Sequence, residues 1–170
     1  MKRFLSILLC VFSFSVNAQL ADTSYTLDIN GCYIYTLNAF AKGTDGLEKL
    51  NKKTLPKNAK EVYISRQYFS AGLPVNAGDL FIHYEDIVGE ANKLYTIQQE
   101  KRAAFIYMTE LSISADTCHL WLIPIILRKN NTEVEVDYPS RGCRLNYQVN
   151  RETGKLRYAN TVCPPAKKED

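Results

Sequence analysis

Three features of the sequence predict a mainly β domain of the β-rich α+β class. Short runs of β-branched and aromatic residues recur along the chain between Gly, Pro, Asn and Asp turns. The most apolar of these runs outside the N-terminus, residues 118–128, precedes Asn130-Asn131 and a second alternating run. Helical spacing appears in one short segment only. We therefore expect a single-domain antiparallel sheet, either a sandwich or a partly closed barrel, with two disulfides.

Residues 1–18 have the three-part pattern of a secretory signal peptide. Lys2 and Arg3 give a positive start, residues 4–14 form an apolar stretch too short to span a bilayer, and small residues lead up to Ala18. We expect cleavage after Ala18 and export, which makes the mature chain periplasmic or secreted. The short leader favours a bacterial origin.

Removal of the leader leaves residues 19–163 as one domain, followed by a polar tail at 164–170 that we expect to be disordered. The formal charge of +3 falls by the two units that Lys2 and Arg3 carry. A nearly neutral chain argues against nucleic acid as the partner. No second apolar span follows the leader, so we expect no membrane span.

The first elements of the mature chain are predicted as a hairpin and a helix. Residues 25–29 alternate, Asn30-Gly31 is a turn signal, and residues 32–37 continue in strand-forming types. Leu47 and Leu50 then recur at helical spacing, which predicts a short surface helix near 46–53. A group of lysines surrounds them: Lys49, Lys52, Lys53, Lys57 and Lys60. We favour a solvated face for these lysines over contact with an acidic partner or an anionic envelope polymer.

The middle of the chain predicts strands separated by one recognition loop. The predicted strands are residues 61–69, 79–88, 93–98 and 102–114. The Gly- and Pro-containing loop at 71–78 is flanked by Tyr68, Phe69 and Leu73. These apolar residues beside a loop lack an obvious role in a core, so they are the candidates for binding a partner.

The run at 118–128 is predicted as the central strand, paired with residues 132–138 across Asn130-Asn131. Asn tolerates the left-handed backbone that both central positions of such a two-residue turn require. The predicted register places apolar pairs on the face of Trp121, namely Leu127 with Val134, Ile125 with Val136 and Ile123 with Tyr138. A slip by one residue would turn this apolar set towards water.

Four cysteines remain after the leader: Cys32, Cys118, Cys143 and Cys163. In an oxidising compartment they predict two bridges. Residues 151–155 look like a three-residue hairpin loop that ends with Gly154 in the left-handed position. That register puts Cys143 opposite Cys163, which leaves Cys32 to pair with Cys118. A Cys118–Cys143 bridge stays open as the alternative. We expect no zinc site, because no CxxC occurs and Cys118-His119 has no second ligand pair.

The catalytic candidates are His83 and Glu85, which share a face of their predicted strand with Asp79 and Phe81. A carboxylate beside a histidine can orient it as a base, or the group can ligate a cation. No nucleophile elbow or Gly-rich loop accompanies them, so we favour the polar outer face of a strand and expect neither cofactor nor metal. His119 is interpreted as a packed or capping histidine.

These patterns favour an exported, non-catalytic module that binds another protein, such as an inhibitor or an immunity protein. The alternative is a small secreted hydrolase or ligand-binding protein that uses the strand of His83 and Glu85. The sequence leaves open whether the chain is an enzyme, although the absence of a catalytic motif favours binding.

Overall fold

The structure, a computed structural model, describes residues 25–65 and 73–165. The predicted signal peptide, most of the predicted tail and the binding candidates Tyr68 and Phe69 lie outside this part. Of the described residues, 41% are in strands and 22% in helices, so the predicted mainly β fold is confirmed.

Three helices and ten strands make up the described part. The helices are α1 (Ile29–Lys42), α2 (Glu48–Thr54) and α3 (Ala91–Gln99). The strands are β1 (Glu61–Ser65), β2 (Asn76–Ala77), β3 (Leu80–Glu85), β4 (Ala103–Met108), β5 (Ser112–Ser114), β6 (Thr117–Pro124), β7 (Ile126–Asn130), β8 (Glu133–Asp137), β9 (Cys143–Val149) and β10 (Leu156–Val162).

The main sheet is curled and mixed rather than purely antiparallel. Its order is β10-β9-β6-β4-β1-β3-β2, with β5 also paired to β6. Strand β1 runs parallel to both β3 and β4, and the other pairs are antiparallel. A parallel pairing needs a crossover connection, and α3 lies in the one between β3 and β4. The prediction of a strand at 93–98 is therefore wrong, since these residues belong to α3.

The predicted N-terminal hairpin is also wrong, because residues 29–37 lie in α1 and Leu27 forms a single β-bridge with Leu156. Asp28 caps this helix, and its side chain accepts a hydrogen bond of 2.7 Å from the backbone N–H of Gly31. The helix ends at Gly43, whose φ of 63° is left-handed. The face that α1 turns inward carries Cys32, Tyr33, Thr36, Leu37, Ala39 and Phe40. Burial of this face outweighs the strand propensity of its β-branched and aromatic members.

The helix predicted near 46–53 is confirmed as α2, although it is not the only one. Its Leu50 and the preceding Leu47 are buried against the sheet, with exposed fractions of 6% and 0%. Asn51 connects α2 to α1, since its side-chain amide donates a 2.6 Å hydrogen bond to the carbonyl of Phe40.

The predicted central strand at 118–128 is divided between two sheets. Strand β6 ends at Pro124, and the next residue, Ile125, donates its backbone N–H to the carbonyl of Phe105 at 2.9 Å. From Ile126 the chain leaves the main sheet and forms a separate two-stranded hairpin of β7 and β8. The expectation that this run is one continuous strand is wrong.

The β7–β8 hairpin has the predicted faces but not the predicted register. Leu127 lies opposite Val136 instead of Val134, and Arg128 lies opposite Glu135. The turn is moved one residue along the chain, with Asn131 in the left-handed region at φ 53°. A shift of two residues in pairing preserves the alternation, so the apolar residues still share one face.

Two hydrophobic cores lie on opposite faces of the main sheet. The first packs α1 and α2 against one face, with Leu37, Phe40, Leu120, Leu145 and Tyr147 among its fully buried members. The second packs α3 and the β7–β8 hairpin against β1 and β4 on the other face, with Tyr63, Ile87, Leu94, Phe105, Ile125 and Leu127 among its members. The second core does not extend over β6, β9 and β10.

The predicted Cys143–Cys163 disulfide is confirmed, with 4.2 Å between the two Cα atoms. Gly154 has the predicted left-handed backbone at φ 66°. The hairpin starts with Leu156 opposite Val149, and an irregularity between Tyr158 and Asn160 then shifts the register by one residue. This bulge restores the predicted pairing, in which the two cysteines face each other.

The second predicted disulfide, Cys32–Cys118, is absent. Both cysteines are free thiols that lie buried in the first core. Burial, together with smaller contributions from the nearby Cys118 and Asp28, raises the pKa of the Cys32 thiol to about 12. The assignment by elimination was wrong because it assumed that every cysteine is paired. The alternative Cys118–Cys143 bridge is also wrong, since Cys143 is bonded to Cys163.

Candidate functional site

One face of the C-terminal half of the main sheet is polar and is not part of either core. It lies on β6, β9 and β10, on the side opposite α1. We call it the open face and define it by three cross-strand rows: Trp121 with Arg144 and Val162, His119 with Asn146 and Asn160, and Thr117 with Gln148 and Arg157. Apart from the buried Asn146, these side chains are half-buried or exposed.

The first row carries an aromatic–cation contact. The guanidinium carbon of Arg144 lies 5.7 Å from the centre of the Trp121 ring, on its face. Trp121 is the single tryptophan of the chain. The Arg144 Nε is buried and has no hydrogen-bond partner within the described residues. The indole and the guanidinium therefore pack against each other at this end of the open face.

The second row is a chain of hydrogen bonds with a fixed direction. His119 Nδ1 lies 2.8 Å from the carbonyl oxygen of the Asn146 side chain, so Nδ1 is the donor. The amide nitrogen of Asn146 donates in turn to Asn160. His119 is thus held as a half-buried, hydrogen-bonded residue, in agreement with its interpretation as a packed histidine.

The third row borders a cavity of about 330 Å³ at the far end of the open face. Arg157 donates to the side-chain oxygen of Gln148, and its guanidinium lies 4.6 Å from the centre of the Tyr25 ring. Asp116, which pairs with Arg151, lines the same cavity. The row combines a positive charge with an aromatic ring, as the first row does.

Aromatic residues extend the open face beyond β6. Tyr107 lies opposite Ile123 on the neighbouring strand β4. Its ring meets that of Tyr138 edge-on, with 6.3 Å between the ring centres. Tyr138 is 50% exposed. This group forms an apolar margin beside Trp121.

The catalytic candidate His83 lies elsewhere, on β3. Its ring stacks on Tyr63 with 4.6 Å between centres, and its Nε2 is 4.0 Å from Oε2 of Glu61. The Tyr63 hydroxyl donates to the same Glu61 oxygen at 3.1 Å. Burial raises the pKa of Tyr63 to about 12, with the charges of Glu61 and Glu85 adding to the effect. Tyr63 is therefore a protonated hydrogen-bond donor near neutral pH and not a base.

The partner that the structure gives His83 is Glu61, which sequence reasoning did not single out. Glu85 lies further along β3, opposite Ser65 of β1. The Nε2 of His83 is buried and makes no hydrogen bond within residues 25–65 and 73–165. In that same part of the chain, no group of three or more His, Cys, Asp and Glu residues is placed to hold a metal ion.

Of the three predicted binding residues, only Leu73 can be located. It is half-buried and packs against the first core. Leu73 therefore contributes to the packing beneath α1.

Sequence reasoning missed the open face, although β9 carries the signal for it. Its residues alternate strictly, with Arg144, Asn146 and Gln148 between Cys143, Leu145, Tyr147 and Val149. Such alternation is typical of a strand with one buried and one solvated face. The strand of Trp121 is apolar at every position from Leu120 to Pro124, so its alternation of buried and half-buried side chains is visible only in the structure.

The chain matches no protein-family model, no curated protein and no solved structure. Among the helices of the described residues, none combines the length and the apolar character needed to cross a membrane.

Proposed function

We propose that this protein is a non-catalytic binding module that recognises another protein through the open face. The observation that supports this most directly is the Trp121–Arg144 contact on a half-buried sheet surface. Trp, Tyr and Arg are the residues that carry most of the binding energy in protein interfaces. Here Trp121 and Arg144 lie side by side, with Tyr107 and Tyr138 at the margin.

The charges of the open face indicate the chemistry of the partner. Its three rows contain Arg144 and Arg157 at opposite ends and include no Asp or Glu. A complementary partner surface presents carboxylates opposite these two arginines. A stacked sugar is a poorer fit, because the Arg144 guanidinium already lies over the Trp121 ring.

We further propose that the protein acts in the bacterial periplasm as an inhibitor or an immunity protein. The leader pattern at 1–18 supports export. The Cys143–Cys163 disulfide supports an oxidising compartment, since such bonds persist outside the cytosol. An inhibitor acts by covering the working surface of its partner, which a rigid sheet face can do.

The test compares two variants that each introduce one negative charge at an exposed apolar residue. Val162→Glu changes the open face, where Val162 is 42% exposed. Ile113→Glu is the control, because Ile113 is 69% exposed but lies on the other face of the sheet. It pairs with Cys118, whose side chain belongs to the first core. The wild-type chain is used to capture a partner from envelope extract, and dissociation constants are then measured with the purified partner.

We expect Val162→Glu to weaken binding at least about tenfold, which corresponds to about 1.4 kcal/mol, while Ile113→Glu leaves it within about twofold. Equal effects of the two variants would refute binding through the open face. A captured protein whose affinity responds to neither variant would refute it as well.

The alternative of a hydrolase has one observation in its favour, the position of His83 Nε2 at 4.0 Å from Glu61. A hydrolytic activity of the purified protein that is lost in both His83→Ala and Glu61→Gln would support the alternative. We expect no such activity.

A further inference from the structure

A cavity of about 460 Å³ lies on the side of the molecule where α2 and α3 end. It is bordered by the segment that leaves α2, by the end of α3 and by the point where β6 passes into β7. Its size is within the range of about 300–1,000 Å³ that is typical of small-molecule sites. The cavity is separate from the open face and from the His83 group, since it shares no lining residue with either.

The floor of this cavity is apolar. It is formed by Ala103, Ala104, Phe105, Leu55, Pro56, Pro124, Ile125, Ile126 and Pro139. The one amide in the lining is already in use, because Gln98 donates to and accepts from the backbone of Leu127, both at 2.8 Å. The floor therefore offers contact area for a hydrocarbon or aromatic group.

The rim of the cavity is positively charged. Among the described residues, four lysines line it, namely Lys52, Lys53, Lys57 and Lys101, and no Asp or Glu does. All four are exposed, and none has a carboxylate within salt-bridge distance in the described part of the chain. Three of them belong to the lysine group that the sequence favours as a solvated face. Their uncompensated charges surround one opening and attract an anion.

We propose that this cavity binds a small amphiphilic anion. The lysines hold the charged head group, and the apolar floor holds its hydrocarbon or aromatic body. The head group is a carboxylate, a phosphate or a sulfonate, which share the negative oxygens that lysine recognises. This site is independent of the protein-binding function proposed for the open face.

The experiment uses a pair of dyes that differ in one group. The full chain is titrated with 1-anilinonaphthalene-8-sulfonate and with N-phenyl-1-naphthylamine, the same fluorescent ring system without the sulfonate. We expect the anionic dye to bind at least about tenfold more tightly at low salt, with an affinity that falls as salt screens the lysines. Octanoate and octyl phosphate then compete for the bound dye and distinguish a carboxylate from a phosphate preference.

Two matched double variants locate the dye. Lys52→Gln with Lys57→Gln removes two charges from the rim. Lys49→Gln with Lys60→Gln removes two charges from the same stretch of chain at positions that do not line the cavity. We expect the first pair to weaken the anionic dye about tenfold and the second to change it less than about twofold, with the neutral dye unaffected by both.

Equal weakening by the two double variants would overturn the proposal, because it would mean that overall charge and not the cavity attracts the dye. Equal affinity for the two dyes would overturn it as well, as would competition by neither octanoate nor octyl phosphate. Displacement by one or both of these anions supports it and identifies the preferred head group.

Discussion

Gly142 occupies a position at which a side chain does not fit. Its φ of 72° lies in the left-handed region, and a Cβ atom there would stand 2.1 Å from the carbonyl oxygen of Leu122. The obstacle is backbone of the neighbouring strand β6, which cannot rotate away. Gly142 thus permits the close approach of the chain just before Cys143 and the disulfide.

We predict that Gly142→Ala lowers the free energy of unfolding by about 3 kcal/mol or more, from overpacking and left-handed strain together. Gly154→Ala is the control. Gly154 has a similar φ of 66°, but no atom in the described part of the chain lies within 4 Å of its Cβ position. We expect the control to cost only about 1 kcal/mol, the strain alone. Urea denaturation measures both, and similar losses would contradict the close approach at Gly142.

Buried tyrosines make the fold sensitive to alkaline pH. Burial raises the pKa of Tyr84 to about 12, and the hydroxyl donates a 2.8 Å hydrogen bond to the carbonyl of Pro74. Burial also raises the pKa of Tyr147, whose hydroxyl lies 2.6 Å from that of Thr36. Above the ordinary tyrosine pKa of about 10, the unfolded chain therefore holds fewer protons than the folded chain.

We predict that stability is independent of these tyrosines up to about pH 10 and then falls by about 1.4 kcal/mol per pH unit for each of them. Tyr84→Phe should cost about 1 kcal/mol at pH 8 through its lost hydrogen bond. The difference between variant and wild type should shrink towards pH 11, because the variant no longer has this proton to lose. Urea denaturation from pH 8 to 11 tests this, and a constant difference would be evidence against the raised pKa of Tyr84.

At the scale of elements, one side chain connects the β7–β8 hairpin to α3. The Gln98 amide pairs with both backbone groups of Leu127, which is 1% exposed. On this edge of β7 no neighbouring strand of the described residues pairs with Leu127, and the Gln98 amide provides the two hydrogen bonds that such a strand would provide. Without it, a buried N–H and a buried C=O would have no partner.

We predict that Gln98→Ala lowers the free energy of unfolding by about 2 kcal/mol and speeds hydrogen exchange at the Leu127 amide. Gln99→Ala is the control, because Gln99 is the exposed neighbour on the same helix. The control should change stability by less than about 0.5 kcal/mol. Unchanged exchange at Leu127 in the Gln98 variant would show that the amide does not hold the hairpin.

The elements that were predicted correctly depend on local chemistry. Gly154 in its turn set the pairing of β9 with β10 and the Cys143–Cys163 bond, and Leu47 with Leu50 indicated α2. The register of the β7–β8 hairpin was missed, because two pairings that differ by two residues place Leu127 on the same face. The alternation at residues 25–29 suggested a hairpin. The Asp28 cap and burial against strands that are distant in sequence instead stabilise the helix α1.

At the scale of the whole molecule, the parallel pairing of β1 with β3 and β4 could not be predicted. These contacts join residues far apart in sequence, and no turn signal marks them. The open face follows from the same arrangement, since α3 and the β7–β8 hairpin pack over the β1–β4 side only. The fold also brings Lys101 to the cavity lined by Lys52, although the two residues are far apart in sequence. The lysine group near α2 therefore indicated only part of this site.

We predict that the four described cysteines divide into one bonded pair and two shielded thiols. Alkylation of the native protein, followed by peptide mapping without reduction, should recover Cys143 linked to Cys163. Cys32 and Cys118 should be modified only after denaturation, because burial excludes the reagent and raises the pKa of both thiols. Recovery of a Cys32–Cys118 peptide would contradict the structure.

Removing the bonded pair with Cys143→Ala and Cys163→Ala should lower the free energy of unfolding by about 3 kcal/mol, as expected for a bridge that closes a loop of this length. The bridge spans 20 residues. Urea denaturation of the double variant and the wild type under non-reducing conditions gives the difference. Equal stability would mean that the bridge contributes nothing to the fold.

The single tryptophan allows a direct measurement of whether a partner protein binds the open face. Incorporation of fluorinated tryptophan gives one fluorine resonance, that of Trp121. We predict that the captured partner, added at a concentration near its dissociation constant for the wild-type chain, moves the chemical shift of this resonance in the wild-type chain and in Ile113→Glu, but moves it much less in Val162→Glu. A chemical shift that stays unchanged while the partner binds would show that the partner binds elsewhere, and it would contradict binding through the open face.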